Sequence, residues 1–333
     1  MTGRTVNHRG GRWPGIPGFS LVELLVALAI AAFAIAGALT LCIKAHDLQA
    51  ALDSQARLQE TARYALAIVE TDLRMAGFWG LTSEPAVVTA NASLGFPAKC
   101  GGATWVTSTA RFIDGSNNMY LAAPNCSAVS GTAKPGADVL IVRRASGQRV
   151  IPQRPTVTAA NRNRVMIVSN HARGEIFVPQ DIANTIPPGY ATADIAGEPP
   201  LADTRALSVT AYYVSNNSSV ATGYPSLRRK TLIAGPDIGD EEVVAGVEDL
   251  QFQIGVDTND DANVDLFVNA GAVPNGAVPL CVRLWLRVRA QERDNAYRDD
   301  RPVSYADRTL PASGDAFRRL LITKTVQLRS ATS

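Results

Sequence analysis

From Phe19 to Ile43 the chain is apolar throughout, except at Ser20, Glu23, Thr40 and Cys42. About 25 residues at 1.5 Å rise extend roughly 37 Å as a helix, enough to cross the hydrocarbon core of a bilayer. Ahead of this run lie residues 1–18, basic and rich in Gly and Pro, with Arg4, Arg9 and Arg12 facing no acid. Positive charge before an apolar span holds that end in the cytoplasm and sends the downstream chain across the membrane. Without this leader the chain carries 29 Lys and Arg against 30 Asp and Glu, so no charge imbalance points to nucleic acid. A composition 46% hydrophobic and 19% charged over 333 residues is globular and long enough for one large domain or two modest ones.

An ordinary secretory signal is cut after its apolar stretch. Here the small-residue candidate, Gly18-Phe19, stands before it, so cleavage would leave the hydrophobic helix on the mature chain. Glu23 is the one acid inside the run. A carboxylate at the edge of a membrane helix is unfavourable unless it finds a partner. Cleavage would expose an α-ammonium on Phe19, about one turn away, and the first-turn dipole favours an anion at Glu23.

The helical pattern continues beyond Lys44, His46 and Asp47, and no Gly or Pro interrupts it before Gly77. Leu48, Leu52, Gln55, Gln59, Ala62, Leu66, Val69 and Leu73 recur at steps of three and four. That spacing predicts one amphipathic stripe, with Arg57, Glu60, Asp72 and Arg74 mostly off it. Gly77 reads as the stop, with Phe78-Trp79 sealing the helix end. From about residue 80 the pattern turns to short apolar segments bounded by Gly, Pro, Asn or Asp. Strands are predicted at 138–143, 164–169, 174–178, 207–214, 226–233, 247–256, 279–290 and 320–329, with an irregular loop over 179–204. The expected fold is α+β. A leader (1–18) precedes a membrane-spanning helix (19–43), an amphipathic continuation (44–77) and a mostly antiparallel β head (78–333).

The text Gly18-Phe19-Ser20-Leu21-Val22-Glu23 resembles the class III signal of type IV pilins and pseudopilins. Further phrases are similar to PilW-like minor pilins: Asp72-Leu73-Arg74-Met75-Ala76-Gly77-Phe78, Ala211-Tyr212-Tyr213-Val214, Leu227-Arg228-Arg229, Gly246-Val247-Glu248-Asp249-Leu250, and the closing strand that ends Thr325-Val326-Gln327-Leu328-Arg329. The resemblance implies cleavage and N-methylation at Gly18-Phe19 by a prepilin peptidase. It makes Glu23 an assembly residue that pairs with a neighbouring subunit's amine. It implies a non-catalytic minor pilin that helps initiate a type IV pilus. The expected location is the inner membrane, single-pass with a periplasmic C-terminal head, and then the pilus tip. Expected partners are other minor and major pilins, the inner-membrane assembly platform and a tip adhesin. A J-like type II secretion pseudopilin shares the leader and helix, and a membrane-tethered adhesin is a reading from another class.

The stretch Asp257, Asn259, Asp261, Asn263 and Asp265 offers oxygens at alternate positions, as Ca²⁺ requires. Ala262 stands in the usual glycine place, and Val268 where an EF-hand would offer its bidentate Glu. The plainer reading is an acidic hairpin turn. Cys100 and Cys126 lie in a Gly/Ser/Asn-rich region that suits a bridge outside the cytoplasm, and free thiols are the alternative. Cys42 lies in the apolar run, and Cys281 reads as a small buried hydrophobe. His171 is the only histidine in the head, and no nucleophile elbow, zinc helix or phosphate loop appears. The clusters Arg143-Arg144, Arg228-Arg229-Lys230 and Arg318-Arg319, and the acids Asp240-Glu241-Glu242, read as solvated faces and loops.

Overall fold

The computed structural model describes residues 20–90, 99–121, 126–128, 132–150, 163–179, 187, 190, 202–235 and 237–329. The chain divides into two compact units, Met1–Leu52 and Asp53–Ser333. One helix, α1 (Leu21–Arg74), supplies residues to both.

In the first unit, α1 is exposed along its whole length from Ser20 to Ala50. Its large apolar side chains have no cover within the chain: Leu21 is 75% exposed and Phe33 81%. By length and composition this helix can cross a membrane.

Among the described residues, the second unit holds the last turns of α1, a short helix α2 (Gly102–Thr107) and fourteen strands. The first eight are β1 (Val88–Ala90), β2 (Ile113–Ser116), β3 (Val139–Arg149), β4 (Met166–Ser169), β5 (Gly174–Phe177), β6 (Asp203–Ser215), β7 (Ser226–Ile233) and β8 (Asp237–Ala245). They form one sheet in the order β1-β5-β4-β6-β3-β2, and the β7–β8 hairpin joins it through β6. Next come β9 (Val247–Asp257), β10 (Leu266–Asn269) and β11 (Val278–Arg289), then the small hairpin β12 (Val303–Tyr305) and β13 (Arg308–Leu310), and last β14 (Arg319–Gln327). The second sheet runs β10-β9-β11-β14. All pairings are antiparallel except β1 with β5. This is the expected α+β class.

Burial explains which strands are central. Val209–Ser215 of β6 is buried at every position, as is Leu250–Phe252 of β9, because both faces of each strand are covered. The sheets touch through Asp138, whose backbone N–H donates to the Leu250 carbonyl (2.9 Å). Its carboxylate accepts from the Phe252 N–H (2.9 Å). One apolar core joins Val69 and Leu73 of α1 with Leu140 and Tyr212 of the first sheet and Phe252 and Leu284 of the second. Close approach sets Gly115, where an added Cβ would lie 1.9 Å from the Val139 carbonyl oxygen.

The helix ends at the expected place, by way of a turn at 75–77 with Gly77 at φ 73°, the left-handed region that glycine enters freely. Gly77 N–H then donates to the Arg143 carbonyl (3.0 Å), and Ala145 N–H to that of Phe78 (2.6 Å), so the chain leaves α1 bonded to β3. Trp79 is fully buried.

Three expectations need correction. The buried face of α1 is Leu58, Ala62, Ala65, Val69 and Leu73, with Asp72 among them, whereas Leu48, Leu52, Gln55 and Gln59 are exposed. A three-four pattern leaves the width and edge of a stripe open, and here the packed sheets extend it to Asp72. Second, Asp240-Glu241-Glu242 is not a loop but the middle of β8. Third, the basic clusters are paired and partly buried rather than solvated: Arg143 is 2% exposed.

Candidate functional site

Gly18 and Phe19 lie outside the described residues. At the first described position, Ser20 N–H donates to Glu23 Oε2 (3.0 Å), and Glu23 N–H donates to Ser20 Oγ (3.3 Å). The Ser20 carbonyl accepts from Leu24 N–H (3.2 Å). This reciprocal pair is a capping box, which satisfies donors that a helix start leaves open. Its signal is Ser-x-x-Glu before an apolar run, a role for Ser20 that the reading of Glu23 as an assembly residue leaves out. Glu23 is thus an exposed carboxylate at the helix start, oriented by its own N-cap.

At the other end of α1 a buried acid joins helix to sheet. Asp72 Oδ1 accepts from Arg144 Nε (3.0 Å) and Nη2 (2.6 Å). Its Oδ2 accepts from the Tyr212 hydroxyl (2.6 Å), and Tyr212 is fully buried. Burial, with Asp72 beside it, pushes the Tyr212 hydroxyl well above the ordinary tyrosine range. Two residues earlier, Glu70 is held by Lys324 of β14 (2.7 Å) and Arg74 (2.6 Å). Lys324, and then Arg74, hold the Glu70 carboxyl below its usual range. α1 is thus tied to both sheets by charge as well as by its apolar face.

Charge also orders the sheets. The register sets Arg228 opposite Glu242, Arg229 opposite Glu241 and Lys230 opposite Asp240. Ion pairs form at 3.4 Å for the first and 2.5 Å for the second, and Asp240 is shared between Lys230 (2.8 Å) and Arg228 (2.9 Å). Opposite charges facing across a ladder stabilise it by roughly 0.2–1 kcal/mol a pair. On the second sheet Arg319 reaches Glu248 (2.7 Å), Asp315 (2.7 Å) and Asp299 (3.0 Å). Arg319 holds the Asp315 carboxyl at about 2. The β12–β13 hairpin docks through Tyr305, whose hydroxyl donates to buried Asp249 (2.6 Å). Arg308 also reaches Asp249 (2.8 Å) and the Gly136 carbonyl.

The acidic loop after β9 spends its oxygens on its own backbone. Asp257 accepts from the N–H groups of Asn259 (3.0 Å), Asp260 (2.7 Å) and Ala262 (2.7 Å). Asp261 accepts from Asn263 N–H (2.8 Å), Asn259 Oδ1 from Asp261 N–H (3.1 Å), and Asp265 from Thr258 N–H (2.7 Å) and hydroxyl (2.6 Å). Ala262 takes φ 62°, the left-handed conformation that its place in the turn requires. Among the described residues, no three His, Cys, Asp or Glu side chains are grouped to hold a metal ion. Cys100 and Cys126 are joined in a disulfide with Cα atoms 4.0 Å apart, while Cys281 is a buried free thiol and Cys42 an exposed one.

Two family comparisons match this architecture. Residues 17–39 match the prokaryotic N-terminal methylation motif, which covers the Ser20–Glu23 cap and most of the apolar run. Residues 211–330 match the family described as type IV pilus-assembly protein W, a span from Ala211 through the whole second sheet. No curated protein matches the chain, and no solved structure does. An exposed apolar helix bearing the methylation motif, followed by a mostly antiparallel β unit, is the arrangement of type IV pilin-like proteins, and the helix is long and apolar enough to anchor the chain in a membrane. Its C-terminal region, residues 211–330, is similar to the PilW family of type IV pilus assembly. The proteins of these families are structural.

Proposed function

We propose that this chain is a minor pilin that helps initiate and assemble a type IV pilus and does no catalysis. One observation carries the reading: the methylation motif at 17–39 and the PilW region at 211–330 lie on one chain. In this reading a prepilin peptidase cuts between Gly18 and Phe19 and methylates Phe19. Glu23 then sets subunit register by pairing with a neighbour's new amine. The apolar helix holds the subunit in the inner membrane until the assembly platform passes it, with other minor and major pilins, into the filament near its tip. Other pilus components, a tip adhesin among them, are the partners.

The test is deletion of the gene in the source bacterium, complemented with either the native gene or a Gly18→Trp variant. Surface pili and secreted proteins are scored together, and the subunit's intact mass is measured. The deletion should remove pili and spare secretion, and only the native gene should restore them, because Gly18→Trp leaves uncleaved precursor. Normal pili with secreted enzymes retained in the periplasm would instead make the chain a J-like pseudopilin. Mature-length protein from the variant would refute the cleavage site.

Calcium at the acidic loop belongs to the same proposal. An ion held by Asp257, Asn259, Asp261, Asn263 and Asp265 would take over oxygens that now accept backbone N–H groups, and would relieve repulsion among the carboxylates. Millimolar calcium should then raise the melting temperature of the full chain in detergent, and EDTA should reverse the rise. An unchanged melting curve would leave the loop as a self-capped turn.

A further inference from the structure

Asparagine is a chemically labile residue, and a glycine after it leaves the next backbone nitrogen unshielded, because glycine has no Cβ. The sequence holds one Asn-Gly pair, Asn275-Gly276, in the loop between β10 and β11. Tertiary structure decides whether such a pair reacts with itself, since the side-chain carbonyl carbon must meet the following backbone nitrogen. Nothing fixes either group here. Asn275 and Gly276 are both exposed. Among the described residues the Asn275 side chain has no hydrogen-bond partner, and the Gly276 N–H donates to none. Gly276 takes φ 83°, with open space where a Cβ would stand. The turn is closed by the Ala277 N–H on the Pro274 carbonyl (3.2 Å), and β11 begins only at Val278. Rotation at Asn275 therefore asks for a small local opening of an exposed turn.

Comparable pairs elsewhere are held. In Asp114-Gly115 the Gly115 N–H is already donated to Asp114 Oδ1 (2.9 Å), and the pair lies inside β2 against β3. In Asn217-Ser218 the Asn217 Oδ1 accepts from the Gly223 N–H (2.8 Å), and the Asn217 carbonyl accepts from the Ser226 hydroxyl (2.8 Å). In Asn170-His171 the Asn170 Oδ1 accepts from the N–H groups of Ala172 (2.9 Å) and Arg173 (2.9 Å). Each of these side chains would have to give up its bonds before it could turn on its neighbour.

We infer that Asn275 is a site of spontaneous deamidation, through a succinimide closed on the Gly276 nitrogen. That nitrogen gives its proton to hydroxide and attacks the side-chain carbonyl carbon of Asn275, forming a C–N bond. The bond from the same carbon to Nδ2 breaks, and Nδ2 takes a proton from water and leaves as ammonia. Solvent water then adds to one of the two ring carbonyls and breaks its bond to the ring nitrogen, which takes back a proton. The product is aspartate or isoaspartate, with no change of oxidation state. Either one replaces a neutral amide by a carboxylate, and isoaspartate also adds one carbon to the backbone of the β10–β11 loop. The reaction needs only solvent, so its test can fail without touching the pilus reading.

The full chain in neutral detergent is incubated at mildly alkaline pH beside the same chain in denaturant. Both are sampled over time, digested in acid and mapped by mass spectrometry. In the folded chain a gain of one dalton should appear on the peptide holding Asn275 well before any other, with isoaspartate exceeding aspartate. Raising the pH should speed it, and hydroxylamine should split the chain after Asn275. In denaturant, where their bonds are gone, Asn217 and Asn170 should join the reaction. Asn275→Gln should lose both the gain and the split while keeping the native melting temperature, because the side chain it replaces bonds to nothing among the described residues. Three results would overturn the inference. One is an Asn275 that stays unchanged in the folded chain while the denatured chain converts. Another is earlier conversion of Asn217 or Asn170 in the folded chain. The third is aspartate without isoaspartate, the mark of direct hydrolysis with no ring.

Discussion

Replacing Asp72 with alanine is expected to destabilise the C-terminal unit by about 3–5 kcal/mol. The loss does not come from the helix, because alanine is the better helix former. It comes from the groups that remain behind: Arg144 loses the oxygen that takes two of its N–H groups, and the buried Tyr212 hydroxyl loses its acceptor. A guanidinium left with only the Ala145 carbonyl and a buried hydroxyl left without its acceptor cost more than the pair contributed. Chemical denaturation of the full chain in detergent measures this. Tyr212→Phe, which removes one partner and leaves the ion pair, should cost about 1–3 kcal/mol. Asp72→Ala combined with Arg144→Met should recover part of the loss, because both charges then leave together. A single-variant loss below about 1 kcal/mol, the level of a surface pair, would show that Asp72 does not anchor the helix.

The second expectation concerns pH. Asp138 is 1% exposed at the meeting of the two sheets, and burial pushes its carboxyl up to about 7. The backbone N–H groups of Asn118 and Phe252 pull it down, while Asp307 and Asp249 push it further up. Burial likewise raises Asp249, against the bonds from Tyr305 and Arg308. A carboxyl raised in the folded state keeps a proton that the unfolded chain has released. Stability therefore falls as pH climbs from the ordinary aspartate value toward 7, by up to roughly 4 kcal/mol for Asp138, and levels off above that. This is opposite in sign to the contribution of a salt-bridged acid such as Asp315, which Arg319 holds at about 2. Melting temperatures from about pH 5 to about pH 8 should show the decline in the native chain and a flatter profile in Asp138→Asn. The comparison rests on slope, because asparagine cannot accept both N–H groups and will lower stability at every pH. An identical slope in the variant would rule Asp138 out as its source.

Much of this molecule is legible in its sequence because it is local. The apolar helical run and the helix stop at Gly77 depend on residues close in the chain. So do most strands: the expected 226–233 matches β7 to the residue, and 207–214 and 279–290 differ from β6 and β11 only at their ends. Strand β8 is not legible in this way because Asp240-Glu241-Glu242 has poor strand propensity. It forms a strand because β7 brings Arg228, Arg229 and Lys230 opposite those acids, and cross-strand charge outweighs propensity there.

Asp72 and Tyr212 show where local pattern ends. Each sits in a phrase that resembles the PilW-like pilins, yet nothing in either phrase says that they touch, because 140 residues separate them. The helical wheel puts Asp72 on the wet side. Packing against β3 and β6 turns that side inward, and there a carboxylate persists only with the Arg144 and Tyr212 donors to hold it. The apolar helix and its methylation motif are carried by short-range pattern, since a helix needs only its own neighbours to form. The clamp at Asp72 and the buried acid at Asp138 exist only once the helix and the two sheets have packed together, since desolvation and charge pairing depend on which distant residues arrive.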